Sequence, residues 1–529
     1  MGVFEIRKGV GLLLQFTTMS TALIDALRDP LRYPHAAESI EVIETHISWV
    51  VLAGDFAYKI KKPVDFGFLD FSTLARRRHC CDEELRINRR LAPQLYLEVV
   101  GLGGSPEQPE LGGKAPFEYA VKMRRFAPED GFDRLLERGA LTPELLDRLA
   151  ERLAAFHRDG AAVAERESPW GRPETVVTPV RENIEQIGPL LDSADDQAQL
   201  QRIATWSEAE AVRLGPWLEA RRAAGRVREC HGDLHLGNIA LYRDEPLIFD
   251  AIEFNPALRW IDTCAEIAFL VMDLDDRQRP DLARRFLNHY LETSGDYDLL
   301  HGLRFYLSYR AMVRAKVGLL RAAQASGEAA RHARDEALGY LALAERYTQP
   351  PQPGLWLMHG LSGSGKSRTA AELVAQCGLI RLRSDVERKR LHGLEPLART
   401  RPEVGAGIYT AEASQRTFDH LRRLAESILA SGHSPLIDAT FLRQRDRAPF
   451  TELARRLGVE LTLVARHAPV EVLRARVAAR AARGDDPSEA GIEVLEQQLQ
   501  QVEPPTEAEV DRMVSLGPDE PLPQAVLSR

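Results

Sequence analysis

Two stretches of this sequence bring together residue types that handle phosphate. In the first, His231-Gly232-Asp233-Leu234-His235-Leu236-Gly237-Asn238 is followed by an apolar run, Pro246-Leu247-Ile248-Phe249, that ends in Asp250. Phosphoryl transfer requires a carboxylate to orient the incoming hydroxyl, and oxygen ligands that hold magnesium against the nucleotide phosphates; this segment offers all three. In the second, Gly360-Leu361-Ser362-Gly363-Ser364-Gly365-Lys366-Ser367 matches G-x-x-x-x-G-K-[ST] and lies between an apolar run and a helical segment. Gly360, Gly363 and Gly365, with Ser362 and Ser364 between them, let successive backbone N–H groups turn toward a β-phosphate, and the helix N-terminus that follows adds positive potential. Lys366 is expected to reach the β- and γ-phosphates and Ser367 to ligate magnesium.

Further residues extend the second stretch. Residues 379–382 predict a strand leading into Ser384-Asp385, with Arg388 one helical turn later. Residues 434–440 predict another strand, whose Asp438 suits the ordering of a magnesium shell. Arg476, Arg480 and Arg483 fall on one helical face and could close over a nucleotide as a lid; the plainer reading is a solvated face of an arginine-biased chain.

The elements that must carry these residues divide the chain. Its 529 residues correspond to about two to four domains. An apolar fraction of 44% and a charged fraction of 28% provide for buried cores and exclude global disorder. The net charge of -9 argues against a general polyanion binder. Only nine residues are lysine, so the other 60 of 69 basic residues are arginine and each lysine becomes informative. Five cysteines, with no C-x-x-C pair, fit reduced thiols and a cytoplasmic setting. No apolar run reaches the roughly 18 residues needed to span a bilayer. Residues 1–19 read as an extension, with Met19 an alternative start to Met1.

Thr348-Gln349-Pro350-Pro351-Gln352-Pro353-Gly354 interrupts any helix or interior strand and marks a boundary. Before it, residues 305–347 predict a helical hairpin broken at Ser326-Gly327. Residues 47–52 and 56–60 predict strands joined by Ala53-Gly54-Asp55, residues 117–126 a further strand, and 101–116 a hairpin loop. From Leu141 onward, Leu145, Leu149, Leu153 and Phe156 define one helical face.

The first stretch resembles the aminoglycoside phosphotransferase family, a kinase-like group that includes choline and other small-molecule kinases. Asp233 and Asn238 have the separation of the Asp and Asn in the catalytic loop H-R-D-x-x-x-x-N of protein kinases. The resemblance implies that Asp233 is the catalytic base and that Asn238 and Asp250 are magnesium ligands. His231 and His235 would hold the loop, and Glu253 and Asp262 would either fix the backbone or touch metal. It also implies a nucleotide lysine on the third strand, held by a helix glutamate: Lys59 with Glu84, Lys61 being the rival lysine and a solvated basic edge the plainer reading. Residues 41–46 contain no glycine where protein kinases carry a glycine-rich flap.

The region after residue 354 resembles the small P-loop kinases related to gluconate kinase, polynucleotide kinase and the zeta-type toxins. In that group the Asp after the second strand activates the acceptor hydroxyl and the adjacent Arg contacts the acceptor, which implies those roles for Asp385 and Arg388. For Asp385 the competing reading is a helix cap. The chain as a whole resembles bacterial fusions of the two domain types. The expected fold is an α+β bilobal kinase-like domain followed by an α/β P-loop domain with a parallel sheet. The expected limits are 20–348 (small lobe 40–126, helical lobe 127–348), a linker 349–354, a P-loop domain 355–515 and a tail 516–529. ATP and magnesium are the expected cofactors, and the expected partner is a small-molecule hydroxyl acceptor. A regulatory ATPase, or a nucleic-acid end kinase at the C-terminal domain, remain as alternatives.

Overall fold

A computed structural model describes residues 21–67, 69–398, 407–483 and 488–527. The chain forms two compact units: one takes residues up to Thr142 with Asp159–Gly171 and Arg221–Glu266, the other Pro143–Arg158, Arg172–Ala220 and everything from Ile267 onward.

The first unit is built on a six-stranded antiparallel sheet in the order β1-β2-β3-β6-β4-β5. Its strands are β1 (Ile40–Glu44), β2 (Ser48–Ala53), β3 (Phe56–Lys61), β4 (Tyr96–Ser105), β5 (Gln108–Leu111) and β6 (Glu118–Arg124). The β2–β3 hairpin turns at Gly54-Asp55, as the sequence predicts. Residues 101–116 differ from expectation. The hairpin is present, but much of it is strand: β4 runs on to Ser105 and returns as β5, pairing Leu102 with Leu111, and 112–116 lie outside the strands. One face of the sheet buries Val51, Tyr58, Ile60, Leu102 and Ala120. Helix α1 (Leu74–Asn88) starts where the Thr73 hydroxyl accepts from the Arg76 N–H at 3.3 Å, and it buries Cys81 and Glu84. Two short ribbons follow, β7 (Val227–Glu229) with β10 (Trp260–Asp262), and β8 (Ile239–Tyr242) with β9 (Glu245–Ile248).

The second unit contains helices and a parallel sheet. Helix α2 (Pro143–Ala155) buries Leu145, Leu149 and Leu153, the face its spacing predicts. Helix α3 (Pro280–Ser294) packs on α2, and α4 (Leu300–Gln324) and α5 (Gly327–Arg346) form the predicted helical hairpin. Residues 349–354 carry neither helix nor strand. The sheet has the order β12-β13-β11-β14-β15. It comprises β11 (Leu355–His359), β12 (Ile380–Arg383), β13 (Pro435–Asp438), β14 (Leu461–Arg466) and β15 (Arg512–Leu516), all parallel. β11, β13 and β14 are buried along their whole length, as strands covered on both faces are, and they are mainly apolar, with His359, Asp438 and Arg466 at their C-terminal ends. Helices α6 (Lys366–Cys377), α7 (Ser384–Leu391), α8 (Ala411–Ala430), α9 (Gln444–Leu457), α10 (Val470–Arg483) and α11 (Ile492–Gln501) surround it. All five cysteines are free thiols. No helix among the described residues is long and apolar enough to cross a membrane.

Candidate functional site

In the first unit, the loop after β7 is held by backbone bonds to a buried carboxylate. Glu266, fully buried, accepts the His231 N–H at 2.7 Å and the Gly232 N–H at 2.9 Å. His231 donates from Nε2 to the Phe249 carbonyl at 2.7 Å and accepts the Asp233 N–H on Nδ1, which assigns it the neutral Nε2–H tautomer. Burial pushes its pKa below the usual imidazole value, in keeping with that tautomer. Gly232 has φ +90°, and a Cβ there would meet the Leu258 carbonyl oxygen at 2.6 Å, so the close crossing needs glycine. The Asn238 amide donates from Nδ2 to the Asp233 carbonyl at 2.9 Å and to its carboxylate at 3.1 Å. His235 lies 3.5 Å from the same carboxylate.

Asp250 sits just past β9 with φ +63°, a left-handed conformation that costs a non-glycine residue on the order of 1 kcal/mol. The Tyr96 hydroxyl accepts its N–H at 3.0 Å, and the Asn88 side chain accepts that of Ala251 at 2.9 Å. These bonds turn the Asp250 carboxylate toward β3, where it pairs with Lys59. Glu84, on α1, meets both lysines of one β3 face: Lys59 at 2.9 Å and Lys61 at 2.7 Å. Lys59 extends to Asp250, whereas Lys61 extends to Glu253. Lys62 faces the other way and pairs with Glu44. Burial alone would raise the Glu84 pKa, but the two ammonium groups outweigh it and hold the carboxyl at about 2. Burial likewise opposes the charge on Lys59, and the carboxylates of Asp250 and Glu84 hold its pKa well above the ordinary lysine value. For Glu253 burial wins and the pKa is raised. Asp262 lies apart from this cluster in a buried ion pair with Arg221 at 2.7 Å.

In the second unit, a cavity of about 310 Å³ opens over the glycine-rich loop. Ser362, Gly363, Gly365, Lys366 and Ser367 line one side. Asp385 and Asp438 line another, beneath Arg476 and Arg480 of α10. Gly360 and Ser364 belong to the loop but do not line the cavity; Ser364 is 1% exposed and its Oγ has no hydrogen-bond partner. Gly363 has φ +84°, and a Cβ there would meet the Leu473 carbonyl oxygen at 2.9 Å, so α10 rests directly on the loop. Helix α7 begins with Arg383 as its cap residue, without a side-chain capping bond, which leaves Asp385 to face the cavity. Arg388 is not in the cavity lining: it is buried and donates to the Ile408 carbonyl at 3.1 Å and to Ser414 at 3.2 Å. The Arg483 side chain and residues 484–487 lie outside the described residues.

Lys366 donates to the Leu361 carbonyl at 2.8 Å. Burial pushes its pKa down to about 8, against the pull of Asp438 and Asp385. A triphosphate bound at this cavity would restore the charged form, and its binding would take up a proton once the free lysine has lost one. Affinity is therefore expected to be flat below about pH 8 and to fall by up to about tenfold per pH unit above it. Titration of an Asp250→Ala protein with MgATP from about pH 7 to about pH 10 checks the sign.

Several contacts come from residues the sequence reading does not single out. The Asp438 carboxylate is held by Arg381, at 3.0 Å from Nε, and although burial would raise its pKa, that guanidinium keeps it low. Gln498 of α11 accepts the Ser362 N–H at 2.9 Å, touching the loop from a helix that no motif marks. Glu266, Tyr96 and Asn88 are likewise unmarked.

Both donor sets suit a hard divalent cation. In the first site the Asn238 Nδ2 is committed to Asp233, which turns Oδ1 into the acceptor end, and the Asp250 side chain remains 44% exposed. In the second, the Ser367 hydroxyl and Asp438 carboxylate line one cavity.

Comparison with known proteins finds two family patterns, and the first of them runs across both compact units. The Phosphotransferase enzyme family pattern matches residues 71–306, and the AAA domain pattern matches residues 355–505. A choline/ethanolamine kinase family protein from Mesorhizobium loti is 13% identical over 62% of this chain and 99% of that one, with TM-score 0.38. A gluconokinase from Sinorhizobium meliloti is 22% identical over 34% of this chain and 94% of that one, with TM-score 0.24. The two patterns define a kinase-type protein in which a phosphotransferase domain precedes a P-loop domain. The chain belongs to the family of the uncharacterized proteins Rv2004c of Mycobacterium tuberculosis and Mb2027c of Mycobacterium bovis. Each is 32% identical to it over 450 residues, 84% of this chain and 87% of the relative.

Proposed function

We propose that the chain is a phosphotransferase with two magnesium-nucleotide sites, each passing a γ-phosphoryl group from ATP to the hydroxyl of a small molecule. The observation that carries this reading is the side-chain constellation of the first unit: Lys59 lies between Glu84 and Asp250, and the Asn238 amide holds Asp233. There Asp233 orients and deprotonates the acceptor hydroxyl, and Lys59 binds the α/β-phosphates. Asn238 and Asp250 would hold magnesium; in the second site Ser367 and Asp438 would. The metal supplies charge neutralisation across the phosphates. In the second site Lys366 and the loop N–H groups hold the β- and γ-phosphates, Asp385 takes the acceptor proton, and Arg476 and Arg480 close over the nucleotide. Arg388, buried on α7 against Ile408 and Ser414, acts on the acceptor through the position of that helix.

Nucleotide titration of the full chain tests the reading. The parent is expected to bind two MgATP, and Lys366→Ala and Asp250→Ala one each. Loss of both sites from one substitution in a folded protein would favour a regulatory ATPase whose sites gate each other. In the Lys366→Ala protein, MgATP is expected to bind on the order of tenfold or more tightly than ATP in EDTA, because Asp233 and Asp250 repel an uncompensated triphosphate. Equal affinities would remove the metal from the first site. Labelled γ-phosphate appearing on sugars, polyols or amino alcohols identifies the acceptor class. Label on RNA or DNA ends would move the assignment to a nucleic-acid end kinase.

A further inference from the structure

Strand β12 is one edge of the parallel sheet, and it leads into α7, which carries Asp385. Helix α3 lies along that edge. Its Asn288 donates from Nδ2 to the Leu379 carbonyl at 3.1 Å and accepts the Arg381 N–H on Oδ1 at 2.7 Å. One carboxamide thus makes the two bonds that a neighbouring strand residue would make, and their opposite polarity fixes its orientation. One helical turn further on, the Glu292 carboxylate pairs with Arg383 at 3.3 Å, with both side chains less than one-fifth exposed. Arg383 ends β12 in register with Asp438 and lines the cavity. The Glu292 carbonyl accepts from Arg390 of α7, and the Tyr297 hydroxyl donates to Glu387 of α7 at 3.1 Å. At the other end of α3, Arg284 donates to the carbonyls of Ala375 and Gln376, at 3.0 and 2.7 Å, where α6 ends.

These contacts reach the two pieces that flank the cavity: α6, which begins at Lys366, and the β12–α7 segment, which presents Arg383 and Asp385. Yet α3 lies within the stretch that matches the phosphotransferase pattern, well before the P-loop domain begins. We propose that α3 is a positioning element of the P-loop transfer site, with Glu292 holding Arg383 against the cavity wall and Asn288 setting the height of β12. This rests on reading that cavity as a site of phosphoryl transfer. Arg383 stands beside Asp438 and lowers its pKa. Without the Glu292 carboxylate, the guanidinium is drawn further onto Asp438, the carboxylate assigned to the metal. Phosphate binding by the loop would survive that shift, and the alignment of the acceptor side would not.

The test uses the full chain with Asp233→Asn to silence the first site, γ-labelled MgATP as probe, and hydrolysis to water as the turnover. The share of hydrolysis lost in Lys366→Ala belongs to the P-loop site. Glu292→Gln is expected to lower that share about tenfold or more while nucleotide Kd stays within about threefold, because misplacement costs rate before it costs binding. Glu292→Asp should restore part of the rate. A rate within about twofold of the parent, or a rate and affinity that fall together, overturns the proposal. If the parent has no Lys366-dependent hydrolysis, the underlying reading of the cavity fails, and amide hydrogen exchange then decides the positioning role separately. Glu292→Gln and Asn288→Ala should each speed exchange across residues 380–391 and leave 461–466 unchanged; unaltered exchange at 380–391 sinks it.

Discussion

Asp233→Asn is expected to lower transfer by the first site by on the order of a thousandfold, the range lost when a positioned general base is removed. The fold should survive. The loop is anchored through the His231 and Gly232 N–H groups on Glu266 and through the His231 ring on Phe249, and none of these bonds uses the Asp233 carboxylate. Asparagine keeps the size of aspartate and can still accept from the Asn238 amide, which lies 3.1 Å from Oδ2 in the parent. What it loses is the capacity to take a proton. Transfer from γ-labelled MgATP to small hydroxyl compounds, read beside the thermal unfolding of the same sample, separates the two effects. Turnover within about tenfold of the parent, in a folded protein, would refute Asp233 as the base.

Lys366→Ala should cost the P-loop site on the order of a hundredfold or more in turnover, through lost stabilisation of charge on the transferring group. Lys366 is 8% exposed and shares its cavity with Asp385 and Asp438. Its removal would leave two carboxylates facing the phosphates, with Arg368, Arg383, Arg476 and Arg480 as the cations of the cavity lining. The first site should keep its affinity for MgATP within about threefold, a change below about 1 kcal/mol, because Lys59, Glu84, Asp233, Asn238 and Asp250 all belong to the other compact unit. A larger shift there would argue for coupled sites.

How much of this was legible in the sequence follows from how local each feature is. The glycine-rich loop, the Asp233-to-Asn238 loop and the strand before Asp250 are contiguous, so spacing alone exposes them. The parallel strands β11 and β13 show as short apolar runs, β14 and β15 are not singled out, and α2 shows its face at helical spacing. Long-range partners leave no such trace. Glu266 is 35 residues from the N–H it accepts, and Tyr96 is 154 residues from Asp250. Lys59 and Lys61 share a strand face and a glutamate, so period two could not separate them; what separates them is tertiary, the second carboxylate being Asp250 for one and Glu253 for the other. The stretch 101–116 misled because its glycines and prolines signal turns, yet Gly103 and Gly104 pair within the β4–β5 ribbon. Arg388 looked like an acceptor ligand by position, and only tertiary packing turns it toward Ile408 and Ser414.

The bonds from Asn288 to Leu379 and Arg381 also bear on how the chain keeps to itself. A sheet edge with open N–H and C=O groups is a template onto which another chain can add a strand. In this protein one such edge is closed by a side chain that leaves the ribosome earlier than the strand it covers, so the cover precedes the exposed groups during synthesis. A fragment beginning after the proline-rich stretch would make β12 with its outer groups bare. Such a fragment should self-associate as its concentration rises, while the full chain at the same concentration stays dispersed.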